Sequence, residues 1–218
     1  MIRVMSFLAG LVVFSAMASA QYMDFALSGG YSHIFPQRVG GLFFDKDGAY
    51  IDGNFAYRLP GSPMPIFAGF GVTASGYWDS HQSDLFLINN NNNNNNNFGN
   101  NQNLDSDVEL IEVEPRLAIK LLLPGLPGFY IRPQIGAGLL IDNYSVDTVQ
   151  SNADFSYIHT LYHTGAAFDI RPDVEAGWSF GRTSFGLDVS YMAAFGGFGQ
   201  MGDVLQEFRA GLFARFRY

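Results

Sequence analysis

Four histidines, His33, His81, His159 and His163, are the side chains in this chain best placed to move protons or ligate metals near neutral pH. Two of them follow a serine, in Ser32-His33 and Ser80-His81, and a serine activated by histidine and a supporting acid is a common nucleophile for acyl transfer. Neighbours on an extended strand point to opposite faces, so neither pair can make that contact there. His159 and His163 are four positions apart, which would align them on a helix. On a strand the same spacing separates them by about 13 Å, too far for one metal ion.

Acids gather at Asp45, Asp47, Asp79, Asp84, Asp105, Asp107, Asp142, Asp147 and Asp154. Asp45-Lys46-Asp47-Gly48 is too short for an EF-hand loop, and these acids read as solvated groups able at most to attract Ca²⁺ or Mg²⁺ at a surface. With no cysteine there is neither thiol chemistry nor a disulfide framework. The expectation is no catalytic set, no cofactor and no metal site: not an enzyme.

What positions the remaining charges is an alternation. From Gln21 onward, eight segments of about ten to thirteen residues place apolar and polar side chains on opposite faces, the period of a β-strand. In the second, Ala49, Ile51, Gly53, Phe55, Tyr57 and Leu59 oppose Tyr50, Asp52, Asn54, Ala56 and Arg58. In the fourth, Ile111, Val113, Pro115, Leu117, Ile119 and Leu121 oppose Glu112, Glu114, Arg116 and Lys120. The sixth sets Phe168, Ile170, Pro172, Val174, Ala176 and Trp178 against Asp169, Arg171, Asp173 and Glu175. The eighth sets Phe208, Ala210, Leu212, Ala214, Phe216 and Tyr218 against Glu207, Arg209, Arg215 and Arg217. With Arg132 and Asp142 of the fifth segment included, eleven charges agree after one per strand has fixed the parity. On two random faces that is roughly one chance in two thousand.

The chain opens with Arg3, an apolar run from Val4 to Met17, and Ala18-Ser19-Ala20, the three-part layout of a cleaved secretory signal over residues 1–20. Residues 21–218 are then one domain carrying 11 basic and 20 acidic residues, a formal charge of −9 that disfavours nucleic acid as a partner. Charged residues are 15% of the chain against roughly 25% for soluble domains. Phenylalanine (21), tyrosine (11) and glycine (25) are abundant instead.

Alternation does not by itself say which face is enclosed, since a soluble lipocalin-like barrel binding an apolar ligand would bury the apolar face. Three features favour lipid outside. The apolar faces carry no Lys, Arg, Asp or Glu, as depth-dependent charge penalties demand. Short turns at Pro60-Gly61-Ser62-Pro63, at 124–128 and at Gly181-Arg182-Thr183 alternate with long connections near 36–48, 80–107, 143–166 and 196–204. The chain also ends on an aromatic residue.

That ending, Arg209 to Tyr218 with Gly211, Ala214 and Phe216, resembles the C-terminal insertion signal of bacterial outer-membrane barrels, although Arg217-Tyr218 extend past Phe216. With the leader and the eight segments, the chain resembles the small eight-stranded barrels of the OmpA and OmpX type. The resemblance implies a closed antiparallel up-and-down transmembrane barrel, located in the outer membrane and monomeric. It also implies contact with membrane lipid and lipopolysaccharide, and with the barrel-assembly machinery during insertion. It transfers no active site. Three readings stay open: a structural or surface-interaction barrel, a small channel or lipid-modifying enzyme, and the soluble lipocalin-like alternative.

In such a barrel Glu112, Glu114, Arg116, Lys120, Arg132, Asp169, Arg171, Asp173, Glu175, Asp188, Glu207, Arg209, Arg215 and Arg217 point inward as a paired ionic network, with glycines of the same parity (69, 71, 136, 138, 177, 186 and 211) making room. Pro115, Pro133 and Pro172 lie within strands, and the loss of a ladder hydrogen bond predicts a bulge at each. The tract from Asn89 to Asn103 predicts a mobile external loop over 80–107.

Overall fold

In the computed structural model the alternating segments are strands, and the described residues are 23–39, 42–78, 106–151, 156–196 and 204–218. The strands are β1 (Met23–Val39), β2 (Leu42–Arg58), β3 (Ile66–Trp78), β4 (Ser106–Ile119), β5 (Leu121–Leu122), β6 (Phe129–Ser151), β7 (Ser156–Phe180), β8 (Thr183–Phe195) and β9 (Val204–Arg217). The leader expected over 1–20 and nearly all of the Asn-rich loop lie outside the described residues, while Ser106 and Asp107, expected in that loop, open β4.

Neighbouring strands pair antiparallel in chain order, and β5 continues β4 past Lys120 against the same partner, β6. Pairing of β1 with β9 closes the ring, so eight staves form an up-and-down barrel. At the seam the Met23 N–H donates to the Tyr218 carbonyl (3.2 Å) and the Tyr218 N–H to the Met23 carbonyl (2.8 Å). Closure gives each of the eight staves a partner on both sides, which is how a sheet can face hydrocarbon without an open edge.

The start of β1, the end of β9 and the three tight turns share one rim. The β7–β8 turn is only Gly181-Arg182, with Gly181 at φ 63°, the left-handed conformation that two-residue hairpins need and glycine adopts freely. The opposite rim differs from the loops expected there. β1 runs to Val39 and β2 starts at Leu42, while β6 runs to Ser151 and β7 starts at Ser156, so 36–48 and 143–166 are mostly ladder rather than loop.

The predicted bulges are absent as well. β4 and β6 keep one register on either side of Pro115, from Val113↔Leu139 to Arg116↔Gly136, and β7 and β8 do so across Pro172, from Ile170↔Ala193 to Asp173↔Ser190. Pro133 stays paired with Val174, and its other side faces the break between β4 and β5. Each proline leaves a gap in one ladder, not an extra residue. The register shift that does occur lies between Ile34 and Gln37, around a fourth proline, Pro36.

Parity sorts the side chains as the alternation implies. Leu27, Ile51, Phe70, Val72, Leu117, Ile135, Phe168, Val174, Leu187 and Leu212 are exposed on the outside, and Arg132, Arg209, Arg215, Glu112, Glu114 and Glu207 are fully buried inside. Among the strand residues whose side chains are described, outward charges are confined to Asp47 and Glu109, both near the rim opposite the tight turns. Apolar side chains also fill part of the interior: Ile34, Tyr77, Val108, Leu110, Leu140, Met192 and Leu205 cluster toward that same rim.

Candidate functional site

The candidate site is the ionic interior, assembled because five staves each turn charged or hydroxyl side chains to the same level. Arg116 of β4 donates from Nη1 to Asp52 Oδ2 on β2 (2.8 Å) and from Nε to Glu114 Oε1 (3.0 Å), with a second guanidinium contact to Asp52. Arg171 of β7 reaches Glu112 (3.0 Å) and Asp52 (3.2 Å), and also pairs with Glu114. Arg209 of β9 donates to Glu112 Oε2 (3.0 Å) and to Glu207 Oε2 (2.7 Å). Thr73 of β3 sits among them, donating to Asp52 Oδ1 (2.5 Å) and accepting from Arg171 Nη1 (2.7 Å).

Nearer the tight-turn rim a second group centres on Asp24. It pairs with Arg132 at 3.4 Å, Arg215 at 3.8 Å and Arg217 at 3.2 Å, and Arg215 also pairs with Glu175. Lys120 donates to Ser179 Oγ (3.0 Å) and lies 3.7 Å above the centre of the Tyr130 ring, a cation–π contact. Asp173 and Asp188 are held by neutral donors: Gln134 Nε2 to Asp173 at 2.6 Å, Ser28 Oγ to Asp188 at 3.2 Å, and the Tyr50 hydroxyl to Asp188.

Of the fourteen charged residues expected inside, thirteen are buried there, and Arg217 is half-buried at the rim. The sequence reading left Asp24, Asp52, Thr73, Tyr50, Gln134 and Ser28 out of the network. All six share the inward parity of their strands, which was the available signal. The glycines act in two ways. At Gly71 a Cβ would collide with the Arg116 guanidinium, and at Gly136 with the Glu114 carboxylate, so these two make room for charged side chains. At Gly69, Gly177 and Gly186 the obstacle is chiefly the backbone of the next strand.

The candidate hydrolytic groups do not assemble. Ser32 is buried inside, whereas His33 faces outward, where its Nδ1 lies 2.9 Å from Asp47 Oδ1 and Tyr31 donates its hydroxyl to the same carboxylate. Ser80 and His81 lie outside the described residues, and the β7 backbone sets His159 and His163 opposite Thr148 and Tyr144. The insertion-signal residues lie on β9, with Gly211 on the inner face and Ala214 and Phe216 on the outer face, and Tyr218 closes the seam.

No protein-family model matches this chain, and no curated protein does. Solved structures do. A major outer membrane protein from Thermus thermophilus superposes with a TM-score of 0.53 at 12% identity, covering 90% of this chain and 99% of that one. Neisserial surface protein A superposes with a TM-score of 0.50 at 11% identity, covering 90% and 97%. At such identities the likeness is one of fold: this chain has the eight-stranded up-and-down barrel fold found in these outer-membrane proteins.

Proposed function

We propose that the protein is an integral outer-membrane barrel of structural or surface-interaction type, without catalytic chemistry, delivered by a cleaved leader and inserted by the barrel-assembly machinery through its C-terminal strand. It works as a monomer in contact with lipid and lipopolysaccharide. The observation that carries this reading is the inversion of the barrel: an apolar face points out all round, and the buried charges gather inside. A soluble barrel that binds an apolar ligand needs the reverse, because an exposed apolar belt of this extent associates in water. Aromatic residues near both ends of the outer face, among them Trp178, Phe180 and Tyr218 at the tight-turn rim and Tyr31, Phe35 and Tyr191 toward the other, fit the two interfaces of a bilayer.

Arginines pinned across the lumen support a stiffening role over transport, since ties such as Asp52 to Arg171 join staves that do not touch as neighbours. The β6–β7 ladder continues beyond Ile141, the last exposed apolar residue described on β6, and offers a surface for partners outside the membrane. Expression in a Gram-negative host tests the proposal. The mature chain should partition with the outer membrane and migrate differently on gels before and after heating. A monomer recovered in the detergent-free soluble fraction would overturn it. Steady conductance in planar bilayers would replace the structural role with a channel, and altered lipid A or phospholipid in expressing cells would replace it with an enzyme.

A further inference from the structure

Asp169 stands apart from the other acids of the central network. It is fully buried, neither carboxylate oxygen has a hydrogen-bond partner, and no arginine among the described residues forms an ion pair with it. It points instead at two other acids: oxygens of Glu112, Glu114 and Asp169 lie within 4.8 Å of one another. Glu114 Oε2, the oxygen that Arg116 Nε does not reach, is likewise unpartnered.

The convergence is built into β6, the stave between β4 and β7. Its inward positions at this level are Gly136 and Gly138, and Gly138 is the register partner of Asp169. A Cβ on Gly136 would meet the free oxygen of Glu114, and a Cβ on Gly138 would meet the Glu114 stem. With no side chain between them, the carboxylates of β4 and β7 share one space.

Charge makes that space need an occupant. This centre holds five carboxylates (Asp52, Glu112, Glu114, Asp169 and Glu207) against three guanidinium groups (Arg116, Arg171 and Arg209), an excess of two acids over arginines, and the buried Lys46 is a further interior cation toward the rim opposite the tight turns. Leu110, Leu140 and Ala167 belong to the buried apolar cluster on the side away from the tight turns. Uncompensated charge on groups buried this deeply is strongly unfavourable.

We propose that Glu112, Glu114 and Asp169 together bind one hard divalent cation of the Ca²⁺ or Mg²⁺ class inside the barrel. All-oxygen, all-carboxylate donors suit such ions and not zinc or copper, whose sites use nitrogen or sulfur. Glu112 can serve both its arginines and the ion, because an ionised carboxylate has about four lone-pair directions. The cation neutralises the excess and ties β4 to β7 across the glycine gap. This inference does not depend on where the barrel resides, since its test uses detergent micelles.

The full chain, unfolded in urea with chelator and refolded in lipopolysaccharide-free micelles, is titrated with Mn²⁺ as an oxygen-seeking probe and read by electron paramagnetic resonance. One saturable ion per barrel is expected, displaced by Ca²⁺ or Mg²⁺, and chelator should lower the thermal transition. Asp169→Asn breaks no hydrogen bond or ion pair and should fold. It should weaken Mn²⁺ binding at least tenfold and abolish the chelator effect, and Glu114→Gln, read in parallel, should do the same. Asp173→Asn, which alters a buried acid of another cluster, should retain both. Absence of saturable Mn²⁺, unchanged binding in Asp169→Asn, or a wild-type transition indifferent to chelator would overturn the proposal and leave protons as the compensating charge.

Discussion

Leu212 is the position at which the orientation of the barrel can be weighed in free energy. It is 68% exposed on the outer face of β9 and five residues from Arg217 at the tight-turn rim. A rise of about 3.3 Å per residue on a strand tilted by about 40° advances roughly 2.5 Å along the axis, so Leu212 stands about 13 Å above that rim. The lipid-facing band of such barrels is about 25 Å tall, so this is close to its middle. Leu212→Arg should therefore destabilise the barrel by about 2–4 kcal/mol in a bilayer. Phe216→Arg, next to the end of the strand at the rim, should cost about 0–1 kcal/mol. On the surface of a soluble barrel both changes would fall within about 0.5 kcal/mol of neutral. Reversible guanidinium unfolding in phosphatidylcholine vesicles, followed by the emission of Trp78 and Trp178, measures the difference. A neutral Leu212→Arg, or equal costs at 212 and 216, would refute the placement of this face against hydrocarbon.

Three further outcomes follow from the interior. Arg215→Met removes the ion pair of the buried Glu175, while Asp24 keeps Arg132 and Arg217, and should cost about 3–5 kcal/mol, whereas Arg215→Met with Glu175→Leu should cost markedly less, a coupling read by a double-mutant cycle. Gly71→Ala drives a methyl group into an Arg116 head fixed by Asp52 and Glu114 and should cost about 1–3 kcal/mol in denaturant unfolding, while Gly53→Ala, with open space around its Cβ, should change stability by well under 1 kcal/mol. Pro172→Val restores an N–H where the β7–β8 ladder has a gap and should gain about 0.5–1.5 kcal/mol less the lost rigidity of the unfolded chain, with a newly protected amide at 172 in hydrogen exchange.

The faces of the strands were legible because lipid and lumen impose opposite demands on successive residues, and the inward charges from Glu112 to Arg217 obey the same parity. The lengths of the strands were not legible, because that contrast ends where the lipid ends. Asn143, Ser145 and Thr164 continue the β6–β7 ladder with polar residues where the apolar face would run, so the hydrogen bonds persist while the pattern that advertises them fades. Partners within the interior were legible only as a set of candidates. Which acid each arginine meets depends on the stagger of staves that are far apart in sequence, such as Asp52 with Arg171 or Asp24 with Arg132. Periodicity along one strand carries no information about stagger between strands.

The prolines show why parity outranks local backbone preference. A bulge adds one residue to a strand, and everything beyond it changes face unless a second bulge restores the phase. At Pro172 such a slip would turn either Arg171 or Asp173 toward the outer surface, at a cost of several kcal/mol, whereas a missing ladder bond costs about 0.5–1.5 kcal/mol. The register therefore runs through Pro115 and Pro172 unbroken. Between Ile34 and Gln37 the balance reverses. Past Ile34 the strand leaves the apolar belt beside the His33–Asp47 contact, where a charge turned outward meets no hydrocarbon, and there the register does shift. The same proline chemistry thus yields a gap inside the belt and a register shift outside it, and the energy of a misplaced charge decides between them.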